Sequence, residues 1–329
     1  MNRRLFLGLM GTAASGVAAP RSAMGIATTS YMTGWRPRDT LEFLEHCHSL
    51  GAGGIQAPLS STDEAYLTKL RRRLEQTGMY LEVMIGLPRT NVQAFEATLR
   101  GAKTAGALVV RAACLSGRRY ETFDSLSAWK QFVAESKTAI ERGLRIAERE
   151  RFPLALENHK DWTTDEFVDL LKQYSSEYLG VCLDTGNNIS LLDNPYDLVE
   201  RLSPYTISTH IKDMALAEYS EGFLLSEVPL GEGILDLPRI VGLIRKARPK
   251  TRLTLEMITR NPLRVPCLTP KYWATMDRSG KDLARTLQLA KSSKGPLPTI
   301  DGLDPRSLRR LEDDNVKKCL HYSRLYLES

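Results

Sequence analysis

Short apolar runs, each followed by a helix-like stretch, recur eight times along the chain, and this alternation limits the fold more than any other feature. Strand-like runs stand near residues 25–30, 53–57, 80–86, 107–113, 153–158, 179–184, 207–211 and 252–257. Amphipathic segments lie between them at 38–50, 91–105, 126–149, 194–202, 237–247 and 281–290. Two further helix starts are signalled by Ser61 three residues before Glu64 and by Thr163 three before Glu166, both spaced for a reciprocal capping box. Strand then helix, repeated in this way, is the element order of an α/β fold, the closed parallel TIM (β/α)8 barrel. An open doubly wound sheet would carry a glycine-rich phosphate loop after an early strand. Here Gly51, Gly53 and Gly54 precede a strand, where they read as a helix stop and turn. The barrel is expected over residues 25–290, with an export signal and short junction at 1–24 and a linker and C-terminal appendage at 291–329.

The front of the chain has a basic head at Arg3 and Arg4, an apolar stretch beginning Leu5, Phe6 and Leu7, and small residues running to Ala18 and Ala19. This layout is that of a secretory leader, and the paired arginines resemble a twin-arginine export signal. The resemblance implies an encounter with the twin-arginine export machinery and a periplasmic or otherwise exported product. The formal net charge of +6 would fall to +4 once those two arginines are removed. So thin an excess, spread along the chain, gives no reason to expect a nucleic-acid partner. No segment beyond the leader reaches the ~18 consecutive apolar residues of a membrane span. The five cysteines are odd in number, widely spaced and lack a CxxC pair, so they do not form a disulfide framework; Cys114 and Cys182 sit in apolar runs as core residues.

The chemistry is concentrated at strand ends. In a parallel barrel the C-terminal ends of all strands converge on one mouth, so polar residues distant in sequence meet there. The fifth run ends at Glu157, Asn158 and His159; the sixth at Asp184, Thr185, Gly186 and Asn187; the seventh at His210, Ile211, Lys212 and Asp213; the eighth at Glu256. A carboxylate among apolar neighbours is costly to bury without an ion partner or a metal. Glu157, Asp184, His210 and Glu256 together offer three oxygen donors and one nitrogen. That set suits one divalent ion, Mn2+ first, with Mg2+, Co2+ and Zn2+ also compatible.

These segments, together with Pro229-Leu230-Gly231-Glu232-Gly233, resemble the xylose-isomerase-like barrel superfamily, and more narrowly its sugar phosphate isomerase/epimerase group. The resemblance runs from about residue 25 to 290 and is strongest between 154 and 257. It implies that Glu157, Asp184, His210 and Glu256 bind one divalent metal and that Glu157 and Glu256 are the catalytic acid/base pair. Such an enzyme isomerises or epimerises a keto sugar or related polyol through a metal-stabilised enediolate. His159 is then expected to bind a substrate hydroxyl or to position Glu157, and Lys212 to offset negative charge at the mouth or to pair with Asp213. The group usually has histidine three residues after the sixth-strand aspartate, where this chain has Asn187, which hydrogen-bonds but does not titrate near neutral pH. That departure bears on the substrate more than on the metal.

Two other readings stand beside this one. A lyase or dehydratase acting on a keto sugar, 3-keto glycoside or inosose would use the same enolate but expel a β-oxygen. An exported carbohydrate-binding protein would keep the barrel without turnover, which the paired glutamates argue against. The DNA-repair endonucleases of the superfamily need many histidines for three zinc ions; this chain has five, of which His159 and His210 lie at the mouth. Arg111 is a candidate ligand for hydroxyls or an anion, or a rim ion pair, as are Arg118 and Arg119. Trp273, like Trp35 and Tyr120, is a candidate sugar-ring surface or simple packing. Trp273 lies in a proline-rich segment, 259–280, long enough to cover the mouth.

Overall fold

Eight parallel strands form the centre of the computed structural model, in the order β10-β1-β2-β3-β4-β5-β6-β7. They are β1 (Gly25–Ala27), β2 (Gly54–Pro58), β3 (Tyr80–Met84), β4 (Val110–Ala112), β5 (Leu154–Glu157), β6 (Leu179–Asp184), β7 (Thr206–His210) and β10 (Thr254–Leu255). The ends of this sheet meet: Ile211 N donates to Thr254 O at 2.8 Å and Glu256 N to Ile211 O at 3.2 Å, closing a TIM barrel. The structure describes residues 21–293 and 296–328, so Arg3, Arg4 and the rest of the expected leader up to residue 20 lie outside the described residues. Among the described residues no helix is long and apolar enough to cross a membrane.

The strands are buried on both faces, as a parallel barrel requires, and all six residues of β6 are buried. Around them stand α1 (Thr40–Ser49), α2 (Glu64–Thr77), α3 (Val92–Thr104), α4 (Arg119–Thr122), α5 (Leu126–Glu150), α6 (Thr164–Tyr174), α7 (Pro195–Leu202) and α8 (Leu237–Ala247), each turning an apolar stripe inward. The capping box at the start of α6 forms, with Thr163 and Glu166 each serving the other's backbone N–H. The one expected at Ser61 does not: Ser61 Oγ donates to Asp63 Oδ2 at 2.8 Å, and α2 starts after Asp63 without a side-chain cap. Gly51 adopts φ +80° just beyond α1, the left-handed turn that a side chain resists.

One element departs from the simple alternation. Between β7 and α8 the chain forms a hairpin, β8 (Asp213–Tyr219) and β9 (Gly222–Val228), to which β11 (Leu263–Val265) adds antiparallel. This three-stranded sheet rises above the mouth beside β7. Asp213 fixes its base, accepting from the backbone N–H of Gly231, Gly233, Leu235 and Met214.

After β11 come α9 (Pro270–Trp273), α10 (Gly280–Ser292) and α11 (Pro305–Tyr326). Buried Glu312 on α11 accepts from the backbone N–H of Thr33, Gly34 and Trp35, and Val316, Cys319 and Leu320 pack into the core. All five cysteines are free and buried.

Candidate metal centre

Glu157, Asp184, His210 and Glu256 end or follow β5, β6, β7 and β10, and one ligand atom from each lies within 4.8 Å of all the others. The imidazole sits centrally, with Nδ1 3.3 Å from Glu157 Oε1, 3.6 Å from Asp184 Oδ2 and 3.5 Å from Glu256 Oε2. Its other nitrogen is held from below: Nε2 donates to Gln56 Oε1 at 2.7 Å, which fixes the tautomer that leaves Nδ1 facing the acids. Gln56 Nε2 in turn donates to Glu82 Oε2 at 2.9 Å, and Ser208 Oγ donates to the same oxygen at 2.7 Å.

The acids are positioned by the backbone at the strand ends. Asp184 Oδ1 accepts from the N–H groups of Gly186 and Asn187 at 2.9 and 2.7 Å, leaving Oδ2 turned to the cluster. Asn158 clamps β5 to β6, accepting from Asp184 N and donating to Asp184 O. Thr29 Oγ1 donates to Glu256 Oε1 at 2.7 Å. Glu157 Oε2 and Asp184 Oδ2 are buried and held by charge, Glu157 Oε2 against Arg111 and Asp184 Oδ2 between Lys212 Nζ at 3.0 Å and His210 Nδ1 at 3.6 Å. Two buried carboxylate oxygens without a well-directed hydrogen bond, a third carboxylate and an imidazole nitrogen, converging on one point, fit a divalent cation.

Burial opposes the charged forms of Glu256 and Asp184, yet neighbouring cations prevail. Burial would raise Glu256, but His210, Lys212 and Arg111 hold its carboxyl well below the usual range. Asp184 is lowered against its own burial by Lys212 and His210. His210 goes the other way: burial favours the neutral ring, while Cys182 and the Glu256 and Asp184 carboxylates raise it to about 10. The acids thus draw positive charge into the space between them.

The remaining expected residues fall into three groups. Arg111, Lys212 and Asn187 join the cluster: the Arg111 guanidinium meets Glu157, and Lys212 Nζ lies 3.0 Å from Asp184 Oδ2 and against Glu256. Lys212 makes these contacts instead of pairing with Asp213, whose carboxylate is taken by backbone N–H groups. Asn187 bridges three ionisable groups, its Nδ2 donating to Glu157 Oε1 at 3.1 Å and its Oδ1 accepting from Lys212 Nζ at 3.2 Å and from Lys160. His159 stands at the rim with a buried, unpartnered Nδ1, and its pKa is pushed well down by burial and by Lys160, Arg111 and Lys212, so the ring is neutral. Trp273 is part-buried, with its indole N–H donated to Cys267 O at 2.8 Å and its ring against Tyr272. Trp35 packs on Tyr31, His46 and Arg309, away from the centre.

The segment after β11 crosses the mouth. It leaves the eighth barrel strand, yet Tyr272 OH donates to Ser190 O at 2.8 Å beyond β6, and Thr275 O accepts from Arg119 beyond β4. Arg119 is buried as the anchor, with its guanidinium 3.7 Å from the Trp129 ring centre and 2.7 Å from Glu166. Arg118 pairs with Glu121 at the surface.

Five residues near the centre were not anticipated from sequence: Gln56, Glu82, Lys160, Glu227 and Arg260. Lys160 is 3% exposed and Glu227 2%. Glu227 on β9 is gripped by Arg260 through both oxygens, at 3.1 and 2.5 Å, and lies 3.8 Å from Lys212 Nζ. Glu82 carries the same signal that found Glu157, an acid inside an apolar strand, but in mid-strand instead of at the end.

This barrel and its cluster define a class. The chain belongs to the xylose isomerase-like TIM barrel family, whose pattern it matches over residues 44–286. It is 28% identical over 236 residues to a 3-oxo-isoapionate decarboxylase of Pectobacterium atrosepticum, covering 68% of this chain and 81% of that protein. Its fold is similar to that of D-psicose 3-epimerase from Clostridium cellulolyticum H10, with a TM-score of 0.62, 16% identity, and coverage of 93% of this chain and 99% of the other. It is also similar to the IOLI protein crystallised with a zinc atom, with a TM-score of 0.55, 15% identity, and coverage of 82% and 95%.

Proposed function

We propose that the protein is a divalent-metal-dependent isomerase or epimerase acting on a keto sugar or related polyol. One observation carries the reading: Glu157 and Glu256 both reach the same His210 nitrogen, at 3.3 and 3.5 Å, so both border one small volume at the mouth. Glu157, Asp184, His210 and Glu256 would hold a divalent cation, which would supply Lewis acidity to a carbonyl and its neighbouring hydroxyl. One glutamate takes the proton from the carbon beside the carbonyl, and the other returns a proton from the opposite face. Arg111 and Lys212 steady the two carboxylates and accompany the change of charge. Mn2+ suits the three-oxygen, one-nitrogen donor set best, with Mg2+, Co2+ and Zn2+ as competitors. The leader with Arg3 and Arg4 supports export to the periplasm, which cell fractionation tests directly.

Asn187 favours a second reading, a lyase. An amide in that position does not exchange protons near neutral pH; cleavage beside the enediolate returns no proton to the second face of the carbon, and the departing oxygen takes its proton from one of the two glutamates. Similarity to a decarboxylase supports the same alternative. Incubation with keto sugars and 3-keto glycosides in D2O separates the two. An isomeric product with deuterium at the carbon beside the carbonyl supports the first, while release of water, an alcohol or CO2 supports the second. Absence of any turnover or exchange with the metal-loaded protein overturns both.

A further inference from the structure

Beside the metal centre two buried lysines converge on one neutral oxygen. Lys160 Nζ and Lys212 Nζ both donate to Asn187 Oδ1. Lys212 is also paired with Asp184 and Glu256, whereas Asn187 Oδ1 is the sole hydrogen-bond partner of the Lys160 ammonium among the described residues. An ammonium has three donors, so Lys160 keeps donor capacity in a place almost without water. Its backbone is fixed there, since Arg119 N donates to Lys160 O at 2.8 Å. Burying a cation in this way is costly unless an anion completes the site.

The charge around the centre makes the same demand. Glu157, Asp184, Glu256 and Glu227 face Arg111, Lys212, Arg260 and Lys160, the last with its pKa pushed down to about 7 by burial and by Lys212. A bound divalent ion would leave an excess of one to two positive charges, depending on whether Lys160 carries its proton. Proton transfer from the substrate to Glu157 or Glu256 moves charge within the site without changing its sum, so this excess is left for an anionic group on the substrate.

We propose that Lys160, with Lys212 and Asn187, forms a carboxylate-binding subsite, and that the substrate is a keto-sugar acid. The assignment rests on the metal-centred reading above and names the substrate class for it. Asn187 couples the two halves, because its amide N–H holds Glu157 while its oxygen gathers the lysines.

The test is calorimetric binding of erythronate and of erythritol, a matched acid and polyol, to the Mn2+-loaded protein and to K160M and K160R. The wild type is expected to bind the acid at least about tenfold more tightly than the polyol, the contribution of a charge-assisted hydrogen bond. K160M should lose that preference with its metal content and polyol affinity unchanged, and K160R should keep most of it. Equal binding of both compounds, binding of neither, or an acid preference that persists in metal-replete K160M overturns the subsite. Inorganic phosphate matching erythronate overturns its assignment to a carboxylate. Failure of the metal-centred reading would appear elsewhere, as absent metal or absent exchange in D2O, while the acid preference is read by binding alone.

Discussion

Two adjacent layers of the barrel interior are both polar and both buried, yet they are built on opposite principles. In the lower layer Glu82 accepts from Gln56, Ser208 and Thr254, all of them neutral, and Gln56 passes the network on to His210. Burial raises the Glu82 pKa against those hydrogen bonds, so the layer tends toward neutrality and is complete within the protein. In the upper layer carboxylates face cations, two carboxylate oxygens lack hydrogen bonds, and Glu256 and Asp184 are held ionised. The lower layer is finished as folded, and the upper one is arranged for something else to bind. Gln56 is where they join.

The strongest challenge to this contrast is Glu256→Gln. It removes an ionised acid from the upper layer while preserving shape, so turnover should fall by at least about 10^3-fold, or about 4 kcal/mol in the barrier, with the thermal transition retained. Steady-state kinetics beside a melting curve check both. Unchanged turnover would remove Glu256 from proton transfer and leave it a charge partner of Lys212.

Asp184→Asn and Gln56→Leu probe the two sides of the join. Asp184→Asn deletes a ligand and should lower metal content at limiting Mn2+, read by elemental analysis. Gln56→Leu deletes no ligand, but it frees the His210 ring and should weaken metal affinity by about 10–100-fold. It also leaves Glu82 short of a donor, which costs about 1–3 kcal/mol in urea unfolding. Full metal affinity in Gln56→Leu would mean that His210 is oriented by the upper layer alone.

The sequence made the barrel legible because strand–helix alternation is local: each run of β-forming residues and each amphipathic stretch can be recognised by itself. The hairpin of β8 and β9 escaped because it is inserted between β7 and the expected helix α8, so the strand–helix alternation stays intact around it, although 213–219 and 222–228 flank a two-residue turn. Glu157, Asp184, His210 and Glu256 were readable as acids or imidazole closing apolar runs. Lys160 and Glu227 were not, since nothing in their neighbourhoods separates them from surface charges until the chain closes over them. Gln56 was hidden for another reason: an uncharged amide within a strand becomes significant only when its partners, His210 and Glu82, are known from other strands. Ser61 was misleading because its hydroxyl had a nearer acceptor in Asp63 than the backbone it was expected to cap.

Glu82→Gln gives the smallest effect and the most direct test of neutrality in the lower layer. Burial places the folded-state pKa of Glu82 above its ordinary value of 4.5. Below the unfolded value the carboxyl is protonated in both states, so titration contributes nothing to the difference between wild type and variant. As pH rises above 4.5, the unfolded chain releases its proton first, and the wild type loses stability until the folded pKa is passed. Glutamine does not titrate, so the stability of E82Q relative to wild type should climb through that window by at most about 1.4 kcal/mol per pH unit and then level off. Urea unfolding of the metal-stripped proteins between pH 4 and 8 reads the slope. The other acids are common to both chains and largely cancel in the difference, while any fixed cost of fitting an amide beside Gln56 shifts the curve without tilting it. A flat difference would show that Glu82 is ionised in the folded barrel, and the two layers would then differ in their partners but not in their charge state.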